Sequence, residues 1–296
     1  MLRRLGTPKP SRAQARPLTT AQAASVSSTA MKLTHALVLS LDAETTGTDT
    51  SQDRIVELGG VYMQAGAQVG PVLRALVDPK KYIPAKATQI HGIRNEDVEG
   101  QPQWPVLAAR LAVHFDAGPV LCGYNFLEFD GPLIDAENAR QGIEWRVPRC
   151  LDPFRWTYWG DRGMTSRKLG AVCEHYGVEL PEDRAHTADA DALATGQLLM
   201  AMVREGVIPD DVEQAFVEQD RISAFIAREF QRFGRFLYED RGDGTIRVGL
   251  GKHCGSPLAE VDDGYLKWLL GRPEMPDEAR SVIRQALGQV EQIGLF

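Results

Sequence analysis

Residues 36–44 read Ala-Leu-Val-Leu-Ser-Leu-Asp-Ala-Glu, an apolar run that closes on two acids two positions apart. No other segment constrains the fold as much. A short apolar run bounded by a polar turn, here Thr45 to Asp53, suits a buried strand. Strand side chains alternate between faces, so Asp42 and Glu44 project together while Ala43 points away. Two carboxylates side by side at a strand end repel each other unless a cation sits between them, and hard divalent ions such as Mg2+ or Mn2+ take oxygen ligands of this kind. Asp-x-Glu is also common at solvated strand ends, so the pair alone does not decide between a metal site and incidental acids.

The segments that follow alternate in type. Ile55 to Met63 and Val72 to Val77 read as two further strands joined as a hairpin across Gln64 to Gly70. Helical spacing appears near Val106 to Phe115, a strand from Val120 to Tyr124, and a helix carrying Asp130, Leu133, Ile134 and Glu137. A strand near Cys150 to Asp152 precedes helices at Ser166 to Tyr176 and Thr187 to Arg204. Strands and helices mixed in this order predict an α/β domain built on a mixed sheet. Asp210 to Phe233 reads as an amphipathic connecting helix whose apolar side is Val212, Phe216, Ile222, Phe225, Ile226 and Phe233. Beyond it, a hairpin from Phe236 to Leu250 around Arg241-Gly242-Asp243-Gly244 and two short helices, Asp263 to Leu270 and Pro276 to Leu287, form a small α+β module. The expected boundaries are 1–31 for a flexible basic extension, 32–205 for the main domain, 206–234 for the connecting helix, 235–288 for the module and 289–296 for a tail.

Composition narrows the function. With 43% hydrophobic and 25% charged residues and no apolar run long enough to span a bilayer, no membrane role is expected. A net charge of −7 argues against a protein that simply coats DNA, but carboxylates holding divalent cations reverse the local field. Cys122, Cys150, Cys173 and Cys254 form no CxxC pair, so zinc is not expected, and scattered thiols fit a reducing cytosol. Residues 1–41 hold six Lys or Arg and no acid, which has the look of a transit peptide but reads better as a dispensable tail. Residues 140–168 carry seven basic side chains against three acids, a pattern shared by phosphate-tracking surfaces and ordinary solvated faces.

Two more acids join the strand-end pair. Asp130 follows the strand at Val120. In His186-Thr187-Ala188-Asp189-Ala190-Asp191, Asp191 shares one helical stripe with Ala188, Thr195, Leu198, Leu199 and Met202, whereas Asp189 turns roughly 160° away. An acid on an apolar stripe needs a partner or a metal, which favours Asp191 over Asp189 as a ligand. His186 is expected in the loop before this helix.

Taken together, Leu41-Asp42-Ala43-Glu44-Thr45-Thr46-Gly47, Asn125 to Asp130 and His186 to Asp191 resemble the three motifs of the DEDD exonucleases whose third motif carries histidine. Ile90-His91-Gly92-Ile93 is similar to a segment of the proofreading subunit of bacterial DNA polymerase III and its relatives. Tyr124-Asn125 departs from the His-Asn of many members. The resemblance, over about Lys32 to Arg204, implies a ribonuclease-H-like fold and a metal-dependent 3′–5′ exonuclease acting on single-stranded or 3′-ended DNA. It implies two Mg2+ or Mn2+ ions, with Asp42, Glu44 and Asp191 holding one and Asp42 and Asp130 the other. His186 would accept a proton from the attacking water, and the product would be a nucleoside 5′-monophosphate. Thr45, Thr46 and Phe129 are candidates to meet the terminal nucleotide. An exoribonuclease, or an idle nucleic-acid- or clamp-binding module, are the competing expectations.

Gly249 to Leu258, followed by Tyr265 to Leu270, resembles the small module of exonuclease X-type proteins. Lys252 and Lys267 are candidates there for DNA contact, against a plain accessory fold packed through Trp268 and Leu269. The tail Gln292-Ile293-Gly294-Leu295-Phe296 resembles the peptide by which bacterial proteins bind the sliding clamp, with Gln292, Leu295 and Phe296 as the contact residues.

Overall fold

The apolar run becomes the inner strand that its composition demands. In the computed structural model, which describes residues 31–158, 166–181, 184–240 and 243–288, β1 (Val38–Thr45) pairs antiparallel with β2 (Ile55–Gln64), which turns through β3 (Ala67–Gln68) into β4 (Leu73–Leu76). Three helices follow, α1 (Ala85–His91), α2 (Asn95–Val98) and α3 (Trp104–Asp116). Next come β5 (Val120–Cys122), parallel to β1, then α4 (Asp130–Arg140) and β6 (Cys150–Leu151), parallel to β5. The domain ends with α5 (Pro153–Trp156), α6 (Leu169–His175) and α7 (Ala188–Arg204). The sheet order β3-β2-β1-β5-β6, with β4 also on β2, makes a mixed sheet flanked by helices, as expected.

Alternation along β1 separates two cores. Leu39, Leu41 and Ala43 join Trp104, Leu107, Leu111 and Leu133 from α3 and α4 on one face. Val38 packs on the other with Leu198, Leu199 and Met202 of α7. Asp42 and Glu44 follow Val38 at even spacing, so the period of the strand aims them toward α7. Two glycines let that helix settle close to the sheet. A Cβ on Gly59 of β2 would lie 2.1 Å from the carbonyl carbon of Ala188, and one on Gly196 would lie 2.8 Å from Cγ of Met63.

The long helix α8 (Val212–Phe233) connects to β7 (Leu237–Glu239), β8 (Ile246–Val248), α9 (Asp263–Leu270) and α10 (Asp277–Ala286). Asp211 caps α8 by accepting from the Gln214 amide at 2.8 Å. The module has its own core, with Phe233, Phe236, Val248, Leu266, Leu269 and Ile283 buried together. Its glycine-rich loop is shaped by Tyr265, whose hydroxyl donates to the Leu250 carbonyl at 2.9 Å and occupies the space a Cβ on Gly251 would need.

Several expectations change in detail. The strand expected from Val120 to Tyr124 stops at Cys122, and α1, α2 and α5 were not anticipated. Met31, expected in the extension, is tied to the domain: its carbonyl accepts from the Val212 amide at 3.0 Å, and nearby Thr34 donates to Asp210. Trp268 does not pack inside the module. It stays 45% exposed, with the Arg272 guanidinium 4.0 Å above its ring. Of the basic stretch, Arg140, Arg146, Arg149 and Arg155 are bound to carbonyls or acids of the chain itself, which favours a structural reading for those four. Residues 1–30, part of the hairpin turn and the terminal segment with Gln292, Leu295 and Phe296 lie outside the described residues. Among the described residues no helix is long and apolar enough to cross a membrane.

Candidate active site

Three carboxylates meet where the C-terminal end of β1 faces the first turn of α7. Asp42, Glu44 and Asp191 each place an oxygen so that the ligand atoms lie within 4.8 Å of one another. Asp130, buried at the first residue of α4, stands outside this tight trio yet next to it, since its charge acts on both Asp42 and Glu44. The structure thus brings together all four acids singled out from the sequence.

Burial sets the electrostatics. It drives Asp42 well above the ordinary carboxylate range, and Asp130, Asp191, Glu44 and Glu57 push the same way. Glu44 is pushed up to about 8, by burial first and then by Asp191, Glu57 and Asp130. Asp130 is also pushed up to about 8, chiefly by burial, against a backbone hydrogen bond with Ala43. Asp191 is raised by burial and partly relieved by His186. Such a cluster is unfavourable as four bare anions and becomes favourable with cations between them. Asp191 carries the most direct sign of fit: its Oδ2 accepts from the His186 amide at 3.3 Å, while its buried Oδ1 has no hydrogen-bond partner. Oxygen-only donors match hard divalent ions, so the residues present fit Mg2+ or Mn2+.

His186 precedes α7 in a left-handed backbone conformation, φ +66°, with its side chain 62% exposed and Nδ1 4.0 Å from Asp191 Oδ2. It is a loop residue at the edge of the cluster, free to reach a bound molecule. Thr45 and Thr46 follow a register shift after Glu44. Their hydroxyls are already committed, Thr45 to the Gly47 carbonyl at 2.6 Å and Thr46 to Asp53 at 2.8 Å. Phe129 is half-buried and leans on the core under α4.

The residues that hold these groups in place were mostly invisible in the sequence. His91 is one. Its Nδ1 accepts from the Ile93 amide at 3.0 Å, so its proton sits on Nε2, which faces the Thr45 carbonyl at 3.2 Å. Burial lowers its pKa and keeps it neutral, so it serves as a strut behind Glu44. Glu57 is another. It lies directly across the β1–β2 ladder from Glu44, a like-charge pairing that would ordinarily destabilise. Arg74 pairs with Glu57 at 2.7 Å, and the other Glu57 oxygen accepts from the Ala188 amide at 3.3 Å, at the N-terminus of α7. Asp189 lies outside the trio, yet it is as buried as Asp191 rather than turned from the core: Arg184 holds it at 2.6 Å and Arg74 lies at 3.7 Å.

Asp152 supports the second motif. Its carboxylate accepts from the amides of Asn125 at 2.8 Å and Leu127 at 3.2 Å, and it caps α5 through Phe154. Burial raises it to about 6 against those hydrogen bonds. Asn125 sits at φ +56°, a left-handed conformation that asparagine takes more readily than other residues with a side chain. A polar residue at a strand end was a weak signal on its own.

Comparison with known proteins agrees with this geometry. The exonuclease (RNase T) family model matches residues 39–199. The PolC-type DNA polymerase III of Ureaplasma parvum is 27% identical over 179 residues, 57% of this chain and 12% of that protein. The 3′-5′ exonuclease DinG of Bacillus subtilis is 27% identical over 168 residues, 56% of this chain and 17% of that protein. The chain therefore spans less than a fifth of either relative. Among solved structures, the zinc-bound complex of E. coli exonuclease I with single-stranded DNA superposes with a TM-score of 0.51 at 17% identity, covering 87% of this chain and 68% of that one, which shows a shared fold. On the family match, which covers the three motifs and every acid of the cluster, the chain belongs to the exonuclease family.

Proposed function

We propose that this chain is a metal-dependent 3′–5′ exonuclease that hydrolyses DNA from the 3′ end and releases nucleoside 5′-monophosphates. The observation that carries the reading is the trio of Asp42, Glu44 and Asp191, whose ligand atoms lie within 4.8 Å of one another, with Asp130 beside it. Asp42, Glu44 and Asp191 would hold one Mg2+ or Mn2+ ion and Asp42 with Asp130 a second. When bound, such ions neutralise the phosphodiester and make water a better nucleophile at neutral pH. The exposed imidazole of His186 takes the proton from the attacking water, and Asp191, which accepts from the His186 amide, keeps the loop at the mouth of the site. The Thr45 and Thr46 backbone and the ring of Phe129 border the place of the terminal nucleotide. The direction of attack follows that of the 3′-5′ exonuclease DinG of Bacillus subtilis, and DNA as substrate follows the single-stranded DNA complex of E. coli exonuclease I. Free cysteines fit work in the cytosol. We extend the proposal to the tail: Gln292, Leu295 and Phe296 would dock on a bacterial sliding clamp, and deleting residues 292–296 would abolish clamp binding in calorimetry while sparing cleavage of short oligonucleotides.

Digestion of end-labelled single-stranded DNA, duplex DNA and RNA of one sequence with Mn2+ tests the reading. Mononucleotides appearing from the 3′ end of DNA are the expected result. Faster release from RNA would make the chain an exoribonuclease. No metal-dependent release from any substrate would leave a binding module.

A further inference from the structure

The family match ends at residue 199, yet one residue well beyond it reaches toward the candidate active site. Gln219, on α8, is buried to 3% exposure amid apolar neighbours. Its side-chain amide closes the end of β6 as a further strand would. Nε2 donates to the Cys150 carbonyl at 2.9 Å, and Oε1 accepts from the Asp152 amide at 2.7 Å. The Asp152 carboxylate in turn receives the amides of Asn125 and Leu127, the two ends of the sharp turn before Asp130. The turn has bonds of its own, from the Glu128 and Phe129 amides to the Asn125 carbonyl at 3.3 and 3.2 Å, and the Asp152 carboxylate anchors it to the end of β6. Asn125 sits at φ +56°, and a Cβ on Gly123 would fall 2.4 Å from the Phe126 ring. The Phe126 carbonyl then accepts from the Gly131 amide at 2.9 Å, which fixes the first turn of α4 and with it Asp130.

We infer that Gln219 is a positioning residue for Asp130: through Asp152 it locks the turn that aims this carboxylate at Asp42, Glu44 and Asp191. The connecting helix is therefore part of the catalytic scaffold rather than a spacer to the module. This rests on the exonuclease reading above for its consequence in catalysis, though not for the coupling itself. Loss of the Gln219 hydrogen bonds leaves the buried Cys150 carbonyl and Asp152 amide unpaired, and the Asp152 carboxylate that receives the Asn125 and Leu127 amides is then less firmly placed. The three-carboxylate cluster stays intact, so one ion site survives and the site that needs Asp130 weakens.

The test uses the full chain with Gln219→Met, close in volume but without either hydrogen bond, and Ile222→Ala as a control. Ile222 is buried on the same helix and belongs to the core under α7, so its truncation destabilises without touching the turn. Hydrogen exchange at the Asn125 and Leu127 amides should speed up at least tenfold in Gln219→Met relative to Ile222→Ala at matched stability. Mn2+ titration followed by electron paramagnetic resonance should show one class of ion bound as in the parent and a second weakened about tenfold. With oligonucleotide, kcat should fall about tenfold or more, with KM unchanged and partial rescue by excess Mn2+. Equal exchange at the two amides in both variants, or unchanged second-site binding, would overturn the inference. If the parent chain itself binds no Mn2+ and releases no nucleotide, the exonuclease reading fails, and the exchange comparison still decides whether Gln219 holds the turn.

Discussion

Chelation of divalent ions should make this protein sensitive to pH in a way that follows from the burial of its acids. Glu44 and Asp130 are each pushed up to about 8, whereas carboxyls in an unfolded chain titrate near about 4. Between these limits the folded chain keeps protons that the unfolded chain has released. Stability therefore falls as pH rises through the window and levels off above it. Each retained proton is worth about 1.4 kcal/mol per pH unit. Over the step from about pH 6 to about pH 8, a single retained proton, half released at the upper end, corresponds to a loss of about 2 kcal/mol, and two independent protons to about twice that. The acids repel one another through Asp42, so they share protons and the lower figure is the better guide. At about 2–4 °C per kcal/mol for a domain of this size, the melting temperature in EDTA should drop by roughly 4–8 °C over that step. Thermal unfolding monitored by circular dichroism, with EDTA and then with excess Mn2+, measures it directly. Mn2+ should remove most of the drop, because bound cations replace the protons, and Glu44→Gln should flatten the EDTA curve. A parent melting temperature independent of pH in EDTA, or a Glu44→Gln curve as steep as the parent's, would refute the reasoning.

Four other outcomes follow. Alanine at Asp42, Glu44, Asp130 or Asp191 should nearly abolish nucleotide release while far-ultraviolet circular dichroism remains that of a folded chain. Asp189→Ala should keep most activity but lower stability by roughly 1 kcal/mol, since its partner Arg184 is half-exposed and Arg74 retains Glu57; a dead Asp189→Ala with an active Asp191→Ala would reverse the assignment of the ligand. His186→Ala should slow turnover about 100-fold or more and remove the rise of kcat with pH that a neutral imidazole base produces, as read from pH–rate profiles. Gly59→Ala forces a methyl into the backbone of Ala188, so it should cost about 1–3 kcal/mol or more in denaturant unfolding and weaken Mn2+ binding by tilting α7 away from Asp42 and Glu44.

The pieces of the site that repeat a local rule were readable in the sequence. Period two along β1 put Asp42 and Glu44 on one face, and helical phase along α7 set Asp191 apart from Asp189, although the fold buries both. Neither rule needs knowledge of what lies across the fold. The supporting residues answer to distant partners and so left little trace. Glu57 looked like any acid in a strand until Arg74 and the Ala188 amide were seen around it. Gly59 could have been a flexible spot rather than the seat of a helix. His91 stood out only as part of a family segment, and its work as a neutral strut depends on the Thr45 carbonyl across the turn. Gln219 did leave a signal: it falls on the same stripe of α8 as Phe216, Ile222 and Ile226, and a polar residue on an apolar stripe asks for partners. The helix α1 was missed because seven residues are too few for periodicity to stand out.

The hydrogen bond from Ala188 to Glu57 joins positions 131 residues apart, and the acidic cluster is stitched together across the same gap. That distance has a consequence for how the molecule comes into being. Asp42 and Glu44 leave the ribosome first and remain two unassembled acids until α7 has emerged and settled on Gly59. At about 5–20 residues per second, the interval is on the order of ten seconds. Throughout it the nascent chain lacks Asp191, so on the proposed reading a product truncated before α7 should release no nucleotide. The order of elements along the chain would then act as a safety catch, with activity beginning only when the domain is complete.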